Sequence, residues 1–261
     1  MKDPVLKYPV ILVHGVLAHD RKSINSFWGR IPDVLKNYGI NVFFGNTDAW
    51  GSIESNAKML KTTVDRVLSE TNSKKANIIA HSKGGLDSRF FIREYDYGEK
   101  IASLNTVSTP HHGSELADLL FQQKFVHSKI AKNALKVFGK LYGDTNPDLY
   151  SLNCQLTTEK MKQFNETIKM DQRVFYQSVY TTMRNPFDYP VFFYSYLYIK
   201  SVSGANDGVI SEASANWSGN VTKIEGISHA EIVDFKKRKI SGIDIPEIYL
   251  NITKDLGKRG F

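Results

Sequence analysis

The stretch Ala80-His81-Ser82-Lys83-Gly84 follows a strand-like run, Asn77-Ile78-Ile79-Ala80, and precedes a segment of helical spacing from Leu86 to Tyr95. A serine at such a strand–turn–helix junction sits on a strained turn that projects its oxygen. The flanking positions two before and two after must be small, because side chains there would collide across the turn. Ala80 and Gly84 meet that need, and Gly85 adds room. The pattern on its own also fits a serine that merely caps a helix, so partners are required.

A serine hydroxyl near neutral pH is a weak nucleophile. It needs a histidine to take its proton and a carboxylate to hold that histidine's tautomer. On an open sheet with this elbow the chain order is serine, carboxylate, histidine. Asp207 lies in Gly204-Ala205-Asn206-Asp207-Gly208, a tight loop of the kind found at strand ends. An Asn-Asp-Gly turn is common in its own right. Order decides the histidine: His14, His19, His81, His111, His112 and His127 all precede Asp207, and His229 alone follows it. Acyl transfer further needs two backbone N–H groups aimed at the developing oxyanion. Lys83, directly after the serine, supplies one. Val16 supplies the other from the loop His14-Gly15-Val16, where Gly15 permits a tight turn. His14 is expected to organise that loop by hydrogen bonding.

These residues need a scaffold that delivers them to one edge. Short apolar runs at 8–13, 40–44, 76–80 and 101–107 alternate with helical patterns at 32–38, 52–71 and 86–95. Ser52 and Ser55 are cap candidates for the second helix. Uniformly apolar strands that alternate with helices predict an α/β fold, a mostly parallel sheet covered on both faces. Its active edge lies at the carboxyl ends of the strands. The rhythm breaks after His112 and resumes with an aromatic stretch, 191–202, read as a long strand or strand pair. A strand at 221–226 and a helix at 245–258 follow. The chain is thus read as a single domain, 1–261, with a helical cap or lid insertion over 113–189. Within that insertion Ile130, Ala134, Val137, Phe138 and Leu141 share one helical face, with Lys129, Lys132, Lys136 and Lys140 set apart from it. Such a helix can lie on a lipid surface or act as a lid; the same face could equally pack on the sheet.

Bulk composition fits a globular domain: 261 residues, 41% hydrophobic and 23% charged. The single cysteine, Cys154, excludes an internal disulfide and has no elbow around it to make it a nucleophile. A net charge of +7 could favour anionic surfaces, but the lysines are scattered and no nucleic-acid motif is present. No run is long enough for a signal core or a membrane span. A full chain of this kind would be cytoplasmic, and one that has lost a leader would be secreted.

In order along the chain, PVILVHGVL, NTDAWGSIESNA, IIAHSKGGLDSR, VSTPHHGSELAD, NDGVIS and GISHAEIVD resemble the bacterial triacylglycerol lipases of the α/β-hydrolase fold. The likeness is greater still to a group of clostridial lipase-like hydrolases that carry AHSKGG. The resemblance implies a carboxylic ester hydrolase acting on acylglycerols or simpler esters, with transient lipid contact through the lid. Ser82, Asp207 and His229 match the family triad, and Val16 and Lys83 its oxyanion donors. The family also holds a structural calcium near the catalytic histidine, and Asp188 and Glu231 fall at the corresponding positions. Glutamate stands here where the family has aspartate. A zinc site found in some relatives needs a histidine-bearing insertion that is lacking between Val67 and Ser82. An acyltransferase or a thioesterase could use the same triad, whereas a non-catalytic binding module would have no need of one.

Overall fold

In a computed structural model, residues 6–17, 20, 27–122, 140 and 143–261 are described. Six strands form one sheet: β1 (Val10–Val13), β2 (Val42–Phe44), β3 (Ala76–His81), β4 (Ile101–Val107), β5 (Phe175–Thr182) and β6 (Val221–Glu225). Their order is β2-β1-β3-β4-β5-β6, and every pairing is parallel. Strands β1, β3 and β4 are buried along their whole length, as expected for a sheet covered on both sides.

Alternate residues of these strands feed two cores. Val10, Leu12, Ile79 and Val107 face α1 (Ile31–Asn37) and α9 (Ile245–Lys258), where Ile31, Leu35, Tyr249 and Leu256 close the layer. Ile11, Val13, Ile78 and Leu104 face α2 (Ile53–Thr71) and α3 (Lys83–Glu94), against Leu60, Val64 and Phe91. Each large side chain buried in this way contributes about 1.5–3 kcal/mol. Helix α2 begins where expected. Ser52 is its cap, and the Ser52 hydroxyl oxygen accepts from the Ser55 N–H at 3.2 Å.

After β4 come α4 (Glu115–Phe121), α5 (Leu149–Gln155) and α6 (Thr158–Thr167). They bear out the helical character expected of this part of the chain. The span 113–189 is nevertheless not one inserted block, because β5 lies within it and pairs with both β4 and β6. The lid-helix residues Ile130, Ala134, Val137, Phe138 and Leu141, with Lys129, Lys132 and Lys136, lie outside the described residues; Lys140 is helical and exposed.

The aromatic stretch at 191–202 is a helix, not a strand. A 3-10 turn at Pro190–Phe192 leads into α7 (Phe193–Ser203). Aromatic and β-branched residues suggested a strand by propensity, but such propensity yields to tertiary context. Here burial has helical spacing: Tyr196 and Ile199 point inward and Tyr194 and Leu197 outward. Asp207 is therefore delivered from a helix end, whereas a strand end was expected. A short helix, α8 (Glu212–Ala215), then leads to β6.

Candidate active site

The parallel register sets the floor of the site. Val13 lies beside Ala80, and Ala80 beside Thr106, so β1, β3 and β4 end level with one another. Ser82 follows β3 with φ +53° and ψ −131°, a conformation that a non-glycine residue holds only when its surroundings impose it. The imposition is visible in the packing. A Cβ on Gly84 would lie 2.4 Å from the His14 carbonyl oxygen, and one on Gly15 would lie 2.7 Å from Ser82 Cβ. Elbow and β1 loop therefore touch backbone to backbone. Ala80 is tolerated at the first small position, buried within the sheet.

The three side chains that sequence order selected meet here. His229 Nε2 is 3.0 Å from Ser82 Oγ, and His229 Nδ1 is 2.8 Å from Asp207 Oδ2. The Asp207 carboxylate is buried. Its other oxygen accepts from the N–H groups of Val209, at 3.0 Å, and Ile210, at 2.7 Å. The His229 N–H donates to the Asp207 carbonyl at 2.9 Å, which locks the two loops together. A carboxylate fixed in this way keeps the histidine proton on Nδ1 and leaves Nε2 to accept from the serine.

Two histidines support the arrangement without joining the chain of proton transfer. His14 Nδ1 faces the Gly15 carbonyl at 2.8 Å and Nε2 the Thr47 carbonyl at 3.1 Å, which ties down the β1 loop as expected. His81 Nε2 donates to the His229 carbonyl at 3.1 Å, and its ring lies 4.7 Å from the His229 ring. Burial first, and then repulsion from His229, holds the His81 imidazole well below its ordinary value of 6.5, so it is neutral. Chain order gave His81 no role; its position next to the nucleophile was the available signal. The Lys83 side chain turns inward, its ammonium 2.6 Å from Asp87 Oδ1 in a buried pair, while its backbone N–H heads α3. Burial raises the Asp87 carboxyl despite this partner.

Val16 lines a cleft of about 440 Å³ with Ser82 and His229 on its floor. The walls are largely apolar and include Leu17, Phe27, Pro110, Ile210 and Val233. Apolar walls suit an acyl chain, and the few polar groups converge on one point.

The carboxylates of Asp188 and Glu231, the expected calcium ligands, are each engaged by neighbouring groups of the chain itself. Calcium takes about six to eight oxygen ligands. Glu231 is buried, but its Oε2 accepts from the Ser228 hydroxyl at 2.7 Å and its Oε1 from Lys236 Nζ at 2.7 Å. Asp188 Oδ2 accepts from the Arg184 N–H at 2.7 Å, and its Oδ1 from Asn185 Nδ2 at 3.1 Å. Among the described residues no three His, Cys, Asp or Glu side chains gather as metal ligands. The cation beside Glu231 is the ammonium of Lys236.

A level edge of parallel strands, a strained serine elbow and a Ser–His–Asp hydrogen-bond chain define a hydrolase of the lipase and esterase class. The family described as palmitoyl protein thioesterase matches residues 9–169, and the chain belongs to it. Triacylglycerol lipase 2 of Saccharomyces cerevisiae is 31% identical over 90% of this chain and 74% of its own length. A triacylglycerol lipase of Pseudarthrobacter phenanthrenivorans is 32% identical over 61% of this chain; the match spans about half, 53%, of that relative. The fold is shared with a crystal structure of a mature Bacillus licheniformis lipase, at TM-score 0.70 and 20% identity over 97% of this chain and 96% of that one.

Proposed function

We propose that this chain is a carboxylic ester hydrolase that cleaves acylglycerols or related acyl esters through an acyl-enzyme on Ser82. The observation that carries this reading is the unbroken path Ser82 Oγ to His229 Nε2, and His229 Nδ1 to Asp207, at the floor of an apolar cleft. Ser82 Oγ attacks the ester carbonyl as its proton passes to His229 Nε2. The N–H groups of Val16 and Lys83 receive the oxyanion, and the positive end of α3 adds to their effect. The imidazolium, steadied by Asp207, gives that proton to the departing alkoxide. Water then repeats the sequence on the acyl-enzyme and frees the acid. Acylglycerols are favoured by the relatives named triacylglycerol lipase.

A thioester substrate is the second reading, favoured by the family to which residues 9–169 belong. The acylation chemistry is the same, but a thiolate leaves. An acyltransferase differs again in its acceptor, an alcohol in place of water.

The test is Ser82→Ala in the full chain, with p-nitrophenyl esters of increasing chain length, an emulsified triglyceride and an acyl thioester as substrates. Wild type should hydrolyse esters, a serine-directed phosphonate should label Ser82, and the variant should lose at least about 10³-fold in kcat with its melting temperature retained. A folded alanine variant that keeps its activity would overturn the mechanism. Thioester turnover far above ester turnover would favour the second reading.

A further inference from the structure

Helix α7 is rich in aromatic and apolar side chains, with Ser195, Lys200, Ser201 and Ser203 as its polar positions, and several of its large apolar groups stay exposed. Tyr196 and Ile199 are buried against the fold. On the opposite side Tyr194 and Leu197 are 84% and 42% exposed, and Val191, in the preceding 3-10 turn, is 78% exposed. Phe187, 72% exposed, extends this patch, its ring 5.5 Å from that of Phe193. Contiguous exposed apolar surface marks a docking face.

Charge indicates what docks. The segment Phe235-Lys236-Lys237-Arg238-Lys239 starts against the same patch. Lys236 Nζ lies 4.6 Å over the Tyr189 ring, and the Tyr189 ring is 6.4 Å from that of Phe235. Lys237, Arg238 and Lys239 are exposed, and none is in an ion pair among the described residues. Arg184, also exposed, lies against Gly226, whose carbonyl accepts from Ser241 just past the basic run. The carboxylates at this edge are already engaged, Glu231 by Lys236 and Ser228, and Asp188 by the Arg184 N–H.

We propose that α7 and the 235–239 segment together dock this protein on an anionic lipid surface. The side chains of Val191, Tyr194 and Phe187 enter the interface, and the basic run meets the headgroups. Aromatic and aliphatic groups beside lysine and arginine form the pattern that binds such surfaces. A second copy of this chain fits less well, since a two-fold interface would bring two basic runs together. The cleft adjoins the patch: Tyr189, Phe192 and Phe235 line it, and Phe192 directly precedes α7. Docking would therefore bring lipid esters to the cleft. The proposal concerns the surface alone and does not depend on which ester is cleaved.

The test is co-flotation of the full chain with phosphatidylcholine vesicles, with and without phosphatidylglycerol. Binding should be at least about tenfold tighter to the anionic vesicles and should weaken as salt is raised. The triple variant Lys237→Glu, Arg238→Glu, Lys239→Glu should lose at least about tenfold in partition. Val191→Ser with Tyr194→Ser should weaken binding even at low salt. Both variants should melt like wild type and hydrolyse a soluble short-chain ester within about twofold of it. Equal partition to neutral and anionic vesicles, or full binding by the triple variant, would overturn the proposal. So would a concentration-dependent dimer that Tyr194→Ser dissociates, which would make the patch a protein interface. Partition is read without turnover, so failure of the hydrolase reading would show separately, as a wild type inactive on every ester.

Discussion

The Ser82 hydroxyl and the His229 imidazole meet at 3.0 Å, yet the two halves of the molecule hold them by opposite means. On the serine side the positioning is local and steric. β3, its turn and the first two turns of α3 are consecutive, buried and pressed backbone to backbone against the β1 loop. On the histidine side β6 is largely exposed, and the loop after it adds polar tethers to the packing of Ile227 and Ile232 in the core. His229 is held by Asp207, by His81 through its carbonyl, and by a neighbouring Glu231–Lys236 pair. Packing fixes the backbone that carries the nucleophile. Tethers fix a base through polar contacts, and these can be cut one at a time.

Cutting the strongest tether should have the largest effect on activity. Asp207→Asn keeps a hydrogen-bonding side chain of the same size at the site but no longer enforces the tautomer, and kcat should fall on the order of 10⁴-fold with the fold retained. Kinetics on a soluble ester beside a thermal melt would check it; a loss below tenfold would show that Asp207 does not hold the histidine.

The steric side should break in stability first. Gly84→Ala directs a methyl at the His14 carbonyl, 2.4 Å away, in the least yielding part of the core. A loss of about 3 kcal/mol is expected from denaturant unfolding. An alanine variant as stable as wild type would mean that the β1 loop yields easily and that the contrast between the two sides is false.

A milder cut is Lys236→Met. It leaves Glu231 buried beside Ser228 with one oxygen unpaired, at a cost of about 2 kcal/mol, since the lysine itself is partly exposed. Activity should fall several-fold as the His229 loop loosens. Chelator should leave the wild-type melting temperature unchanged, because Lys236 already engages Glu231 Oε1. A chelator-induced drop would restore calcium to this loop.

The smallest effect is in the pH dependence of stability. Burial holds His81 and His111 well below 6.5 in the folded chain. Below pH 6.5 the unfolded chain takes up protons that the folded chain refuses. Stability therefore falls as pH drops through this range, by up to about 1.4 kcal/mol per unit for each histidine. His81→Gln retains a donor for the His229 carbonyl and should flatten the slope by one histidine's share. An unchanged slope between pH 6.5 and 5 would show that His81 is not the neutral strut described.

The local elements and the order of the site residues were written in the sequence. The β1, β3 and β4 runs, the Ser52 cap and the 245–258 helix are encoded by neighbouring residues, through apolar periodicity and capping, and the structure reproduces them. The trio Ser82, Asp207 and His229 followed from chain order, because a single histidine stood beyond Asp207. Tertiary structure decided what depends on distant partners. The aromatic stretch became α7 because its inward residues recur every third position against the fold, which its β-prone composition concealed. β5 joined the sheet from inside the supposed insertion because the edge of β4 was open to it. Glu231 took Lys236, five residues further on, as its cation. His81 became a neutral support for a loop 148 positions away. Periodicity and order are properties of a chain, whereas pairing and burial are properties of which surfaces meet, and only the folded molecule determines that.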